Sequence, residues 1–217
     1  QRQGRAKNSN DLTQPAILKM MAMGGEGSII DRLKQLHIVP LTISYEYDPC
    51  DYLKAREYQL RRDVPYWKKT AEDDMESMLV GIKGFKGHIF YRCAPCIDEW
   101  LDTVDAEQPK NKLFDEIAAH IDREIHSNYE LYPCNYVALD MIQDTKVYEE
   151  YYTSEDYQKF DEYINGQIEK IDIENRDDHF LRICLLTQYA YPAKNYIAAS
   201  SENGRFKSLL NRLTFKK

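Results

Sequence analysis

The sequence predicts an α/β protein in which a partial sheet flanked by helices gives way to a mostly helical C-terminal region. Two observations carry this. Over the first hundred residues, apolar positions alternate between helical spacing and short β-branched runs, the pattern of helices interleaved with strands. After Asn128 the strand pattern disappears and helical spacing continues alone. A boundary near residue 129 divides the 217 residues into 1–129 and 130–217.

Taken in order, Thr13 reads as an N-cap and Pro15 as a first-turn residue. The helix they open puts Ile17, Leu18, Met20, Met21 and Met23 on one face, with the methionines expected in the core, and Gly24-Gly25 at its end. Ile29, Ile30, Leu33 and Leu36 space a second helix over 28–36. The run 37–47 is short, apolar and β-branched, and reads as a buried strand. Pro40 within it marks a strand start, an edge or a bulge. Asp48-Pro49 starts a helix to about Arg61, and Asp63-Val64-Pro65 opens another to about Ile82. Lys83 to Gly87 is a turn, and 88–93 is a second strand ending at Ala94-Pro95. Two strands make a poor sheet, so further strands are expected upstream of Gln1. From Lys112 to Asn128, Leu113, Phe114, Ile117, Ala118, Ile121 and Ile125 form one inward face. Helices are expected over 134–143, 154–171 and 177–199.

Composition narrows the function classes. Apolar content of 43% and charged content of 30% describe a globular chain with a core. A net charge of −7 argues against broad nucleic-acid binding. No apolar run approaches the roughly 18–20 residues of a membrane span. Between Asp140 and Phe180 stand thirteen acidic residues against four basic ones, read as a solvated helical face. The end, 205–217, has five basic residues, no acidic ones and an apolar stripe. It is either a packed terminal helix or a peripheral contact with an anionic membrane. Eleven of the seventeen tyrosines follow Asn128, which suits half-buried helix seams. The five cysteines have no disulfide framework spacing. Cys93-Ala-Pro-Cys96 has the spacing of a redox pair or half a zinc site; with no second pair and no histidine pair at zinc-finger spacing no metal is assigned to it, and thiol redox stays as a minor reading.

The N-terminal stretch Gln1-Arg2-Gln3-Gly4-Arg5-Ala6-Lys7 has the make-up of an anion site. Gly4 lets the backbone approach a ligand, and an arginine fork fits a phosphate through two bonds. The alternative is a frayed basic terminus that binds nothing.

In order, these pieces resemble the glycerol-phosphate and lysophosphatidate O-acyltransferases of phospholipid synthesis. Residues 1–7 are similar to that family's Phe-Pro-Glu-Gly-x-Arg-Ser phosphate loop. Ile38-Val39-Pro40-Leu41-Thr42-Ile43 is similar to its Val-Pro-Val strand, and Gly87 to Ile97 to a late strand ending in Gly-x-Pro-Ile. The similarity covers residues 1–129, and Tyr45 to Asp51 further suggests a bacterial subgroup of acyltransferases with a long helical C-terminal region. Gln3 stands where the family has Glu, and Arg5 follows Gly4 directly. The family's catalytic His-x4-Asp matches none of the five histidines, so the resemblance implies that this pair lies upstream of Gln1.

The resemblance implies an acyltransferase-type sheet and acyl transfer from a thioester, acyl-CoA or acyl carrier protein, to a glycerol-phosphate-type hydroxyl. No cofactor is needed. Arg5, with Arg2 and Lys7, would clamp the phosphate, Gly4 would admit the backbone, and Gln3 would hydrogen-bond the glycerol. Pro40 would shape the strand beneath the pocket. This chain alone is expected to be inactive. The setting implied is cytoplasmic, at the inner face of a membrane. The rival reading is a non-catalytic helical module whose acidic, tyrosine-rich half binds a partner protein.

Overall fold

The computed structural model describes residues 7–202. They form a mostly helical protein with one two-stranded antiparallel sheet. The chain runs α1 (Pro15–Met21), α2 (Ile29–Lys34), β1 (Leu41–Tyr45), α3 (Asp51–Asp63), α4 (Ala71–Lys83), β2 (Ile89–Cys93), α5 (Asp98–Leu101), α6 (Lys110–Ser127), α7 (Pro133–Gln143), a 3-10 turn at Glu149–Tyr151, α8 (Ser154–Glu169) and α9 (Asp178–Glu202). The predicted order helix, helix, strand, helix, helix, strand holds, and the region after Asn128 is helical throughout its described elements.

Two apolar cores organise these elements. The first joins α1, α2, α5 and α6 around Leu18, Leu33, Leu101, Leu113 and Ile117. All six residues expected on the inward face of α6 are buried. The second joins α7, α8 and α9 around Val137, Phe160, Ile164, Leu181 and Leu185, and includes Ala55 of α3. Helix α3, placed by sequence in 1–129, therefore packs on the C-terminal bundle. Gln59 fastens it there: its Nε2 donates to the Asn175 carbonyl at 2.9 Å and its Oε1 accepts from the Asp177 N–H at 3.1 Å.

Four sequence expectations need correction. The run 37–47 is not a buried strand. In β1, Thr42 and Ser44 point inward, while Leu41, Ile43 and Tyr45 are exposed. The inward polar residues have partners at the end of α6. Thr42 Oγ1 donates to the Ile125 carbonyl at 2.9 Å, in the last turn of α6 where that carbonyl otherwise takes only the longer 3.3 Å bond from the Asn128 N–H, and Ser44 Oγ accepts from the Glu130 N–H at 3.0 Å. Pro40 is buried at the strand start, and its carbonyl accepts from the Ala94 N–H at 2.9 Å.

Second, Met20, Met21 and Met23 are exposed, and Leu18 and Ala22 fill the core instead. Thr13 is not the N-cap of α1. Gln14 is, and the Thr13 hydroxyl donates to Asp122 on α6 at 2.7 Å. Third, α4 begins at Ala71 rather than near Asp63. Tyr66 takes φ +62°, which breaks the helix, and Thr70 with Asp73 closes a reciprocal capping box that restarts it. Fourth, Asp140 does not belong to the solvated acidic face. It is 1% exposed and accepts from Thr145 Oγ1, the Val147 and Tyr148 N–H groups and Tyr152 OH at 2.7–3.0 Å.

The outer face of the sheet is apolar and open. The register pairs Leu41 with Cys93, Ile43 with Tyr91 and Tyr45 with Ile89, and every one of these residues is exposed. Helix α4 continues the theme: it buries no residue, and Met75, Met78, Leu79 and Ile82 form an exposed stripe at helical spacing. Among the described residues, no helix is long and apolar enough to cross a membrane.

Candidate functional site

The site expected from sequence falls mostly outside the described residues: Arg2, Gln3, Gly4 and Arg5 lie before residue 7, and the basic stretch 205–217 lies after residue 202. Lys7 is described. Its ammonium pairs with the buried Glu57 of α3, which also takes Arg61 at 2.9 Å. Burial lowers the Lys7 pKa against the pull of Glu57. Binding phosphate through Lys7 would compete with that pair.

Directly after this loop, the chain borders a cavity of about 360 Å³. Ser9 and Asp11 form one wall, and Ser44 and Tyr45 of β1 another. Asp48 and Lys54 come from the start of α3, Asn135 from α7, and Gln188, Tyr189 and Pro192 from α9. The local sequence explains each placement. Asp48 Oδ1 accepts from the Cys50 N–H at 2.9 Å and so turns the chain into α3, which starts at Asp51. Lys54, one turn in, pairs with Asp48. Burial opposes the Lys54 charge, yet Asp48 beside it holds the ammonium above its ordinary range.

Asp51 anchors the floor. It is fully buried; its Oδ2 accepts from Tyr163 OH at 2.7 Å and Tyr189 OH at 2.6 Å, and its Oδ1 from the Tyr52 N–H at 2.6 Å. Burial pushes its carboxyl up to about 6, against the two phenols that pull it down. Tyr189 reaches the cavity and also accepts from the Asp48 N–H at 3.2 Å, so it links the Asp51 carboxylate to the cavity wall. Burial raises Tyr189 and Tyr163 well above the usual phenol range, and the Asp51 charge adds to this.

Gln188 gives the wall its chemistry. Its Nε2 donates to the Asp51 carbonyl at 3.2 Å and the Cys184 carbonyl at 3.4 Å, which fixes the amide orientation. Its Oε1 is buried and has no partner. Pro192, four residues on within α9, has no N–H, so the Gln188 main-chain carbonyl also lacks its helical donor. Asp48 and Lys54 are already paired with each other, and the unpartnered acceptor of the described wall is Gln188 Oε1. It suits hydroxyl or ammonium donors rather than phosphate.

Sequence reasoning singled out Pro40, which supports β1 from outside this cavity, and missed Lys54, Asn135, Gln188 and Tyr189. Their only sequence signal is Pro192 inside a helical pattern. Of the histidines, His120 is a core residue: it stacks on Trp100 with ring centroids 3.7 Å apart, and burial, with Arg123 beside it, lowers it to about 4. All five cysteines are free thiols. No known protein family, curated protein or solved structure matches the chain.

Proposed function

We propose that this chain is the acceptor-side, C-terminal part of a glycerolipid O-acyltransferase. The support begins with the ordered resemblance: a Gly-Arg loop, a helix pair, then the Val39-Pro40-Leu41 strand. The observation that carries the reading furthest is the open apolar sheet face of Leu41, Ile43, Tyr45, Ile89 and Tyr91. An upstream α/β layer bearing a His-x4-Asp pair has a surface there to complete. In this reading Arg5 and Arg2 take the acceptor phosphate, and the cavity takes its hydroxyl-bearing end against Gln188 and Asn135. The upstream histidine removes the proton from the attacking hydroxyl as the acyl group leaves its thioester. Holding the acceptor at attack distance is the task of this part of the protein. The basic end at 205–217 adds a peripheral membrane contact on the cytoplasmic side.

The test is acyl transfer by the protein carrying its natural upstream residues. Arg5→Ala is expected to cut kcat/KM for the phosphorylated acceptor at least tenfold, roughly 1.4 kcal/mol or more. An unchanged value removes Arg5 from the site. A second reading, a non-catalytic interaction module, is favoured by one observation: the exposed stripe of α4. It wins if the natural upstream sequence carries no His-x4-Asp.

A further inference from the structure

We propose that His37, Cys96 and Asp98 form a binding site for a zinc-type divalent cation, a clip between the approach to β1 and the exit of β2. It is independent of the acyltransferase reading. One ligand atom from each of the three residues lies within 4.8 Å of the other two. His37 Nδ1 is 2.6 Å from Asp98 Oδ2. Asp98 Oδ1 is buried and has no hydrogen-bond partner, so the carboxylate keeps an unused acceptor beside an imidazole and a thiol.

The backbone already brings the two segments together. The Ile97 N–H donates to the Ile38 carbonyl at 3.0 Å, next to the site. His37 takes φ +48° where α2 ends and sits largely in solvent. It is therefore able to swing about 0.7 Å from Asp98, to the roughly 3.3 Å ligand spacing of a tetrahedral ion with bonds near 2.0 Å. One sulfur, one nitrogen and one carboxylate oxygen suit zinc and exclude magnesium and calcium, which take oxygen. Water would take the fourth position, beside the solvent-exposed His37. On binding, the Cys96 thiol proton passes to solvent and the neutral His37 ring supplies its lone pair.

The geometry also divides the Cys93-Ala-Pro-Cys96 pair. Cys93 sits on the outer face of β2 opposite Leu41, and its sulfur is not among the clustered ligand atoms. Cobalt(II) titration of the whole chain, with zinc competition, tests the site. One equivalent is expected to give the visible absorption of a tetrahedral ion with a thiolate charge-transfer band, removed by zinc. Cys96→Ser should abolish the band and Cys93→Ser should leave it. His37→Ala and Asp98→Asn should each weaken binding at least tenfold, with circular dichroism showing both variants folded. Three results overturn the proposal: no one-equivalent binding, equal loss with either cysteine variant, or unchanged affinity in His37→Ala.

Discussion

Helices α4 and α8 are built from the same local instructions. Each opens with a reciprocal Thr-x-x-Asp box, Thr70 with Asp73 and Thr153 with Asp156, and each carries apolar residues at helical spacing. Yet α8 buries Phe160, Ile164 and Ile168 against α7 and α9, while α4 leaves Met75, Met78, Leu79 and Ile82 in solvent. Capping and periodicity decide that a helix forms. Whether its stripe contributes to stability depends on a second surface, which the bundle supplies to α8. For α4 the body supplies polar ties, such as Arg56 to Asp73 at 2.7 Å, and no surface for this stripe among the described residues.

The largest effect should separate the two stripes. Ile164→Ala is expected to cost about 2–5 kcal/mol in urea unfolding, and Ile82→Ala within about 0.5 kcal/mol. Equal costs would break the comparison and mean that α4 is covered in solution. Asp140→Ala should cost about 3 kcal/mol, because it leaves four donors around a buried position without their acceptor. Asp51 gives a slope rather than a constant. Its carboxyl sits at about 6 in the folded state against 3.8 for the ordinary group, so between those values the folded protein keeps a proton the unfolded chain has lost. Stability should fall as pH rises from about 4 to 6, by on the order of 3 kcal/mol, and level off above. Asp51→Asn should flatten that slope. The capping carboxylates Asp31, Asp73 and Asp156 act the other way. Hydrogen bonds hold them below their ordinary range, so their contribution is lost as pH falls further. The smallest effect sharpens the contrast: Thr153→Ala should cost about 1 kcal/mol globally. Thr70→Ala should instead speed amide exchange within α4 and leave the unfolding midpoint almost unchanged.

Much of the fold was legible because its signals are local. Pro15, the β-branched runs and the inward face of α6 each name an element without reference to any other. What was not legible depended on distant partners. Leu41 and Ile43 look like core residues until the end of α6 claims Thr42 and Ser44 for the inner face. Ala55 and Gln59 look like ordinary positions of a charged helix until the α8–α9 turn meets them. The cavity was hidden for the same reason, since its walls come from five separate segments and its unpartnered acceptor is an unremarkable glutamine. Cys96 was visible as half of a pair with Cys93, whereas its partners in space are Asp98, at the start of α5, and His37, from the distant loop before β1.

The exposed thioethers make this surface chemically readable. Met75 and Met78 on α4, with Met20 and Met23 near α1, meet solvent directly, while Met141 packs against the bundle core. Mild peroxide should convert the first four to sulfoxides and spare Met141, which serves as an internal standard. Any upstream layer, second copy or lipid that settles on the α4 stripe will silence Met75 and Met78 in a peptide mass map. The same oxidation, carried through beforehand, would turn that stripe polar and refuse the visitor.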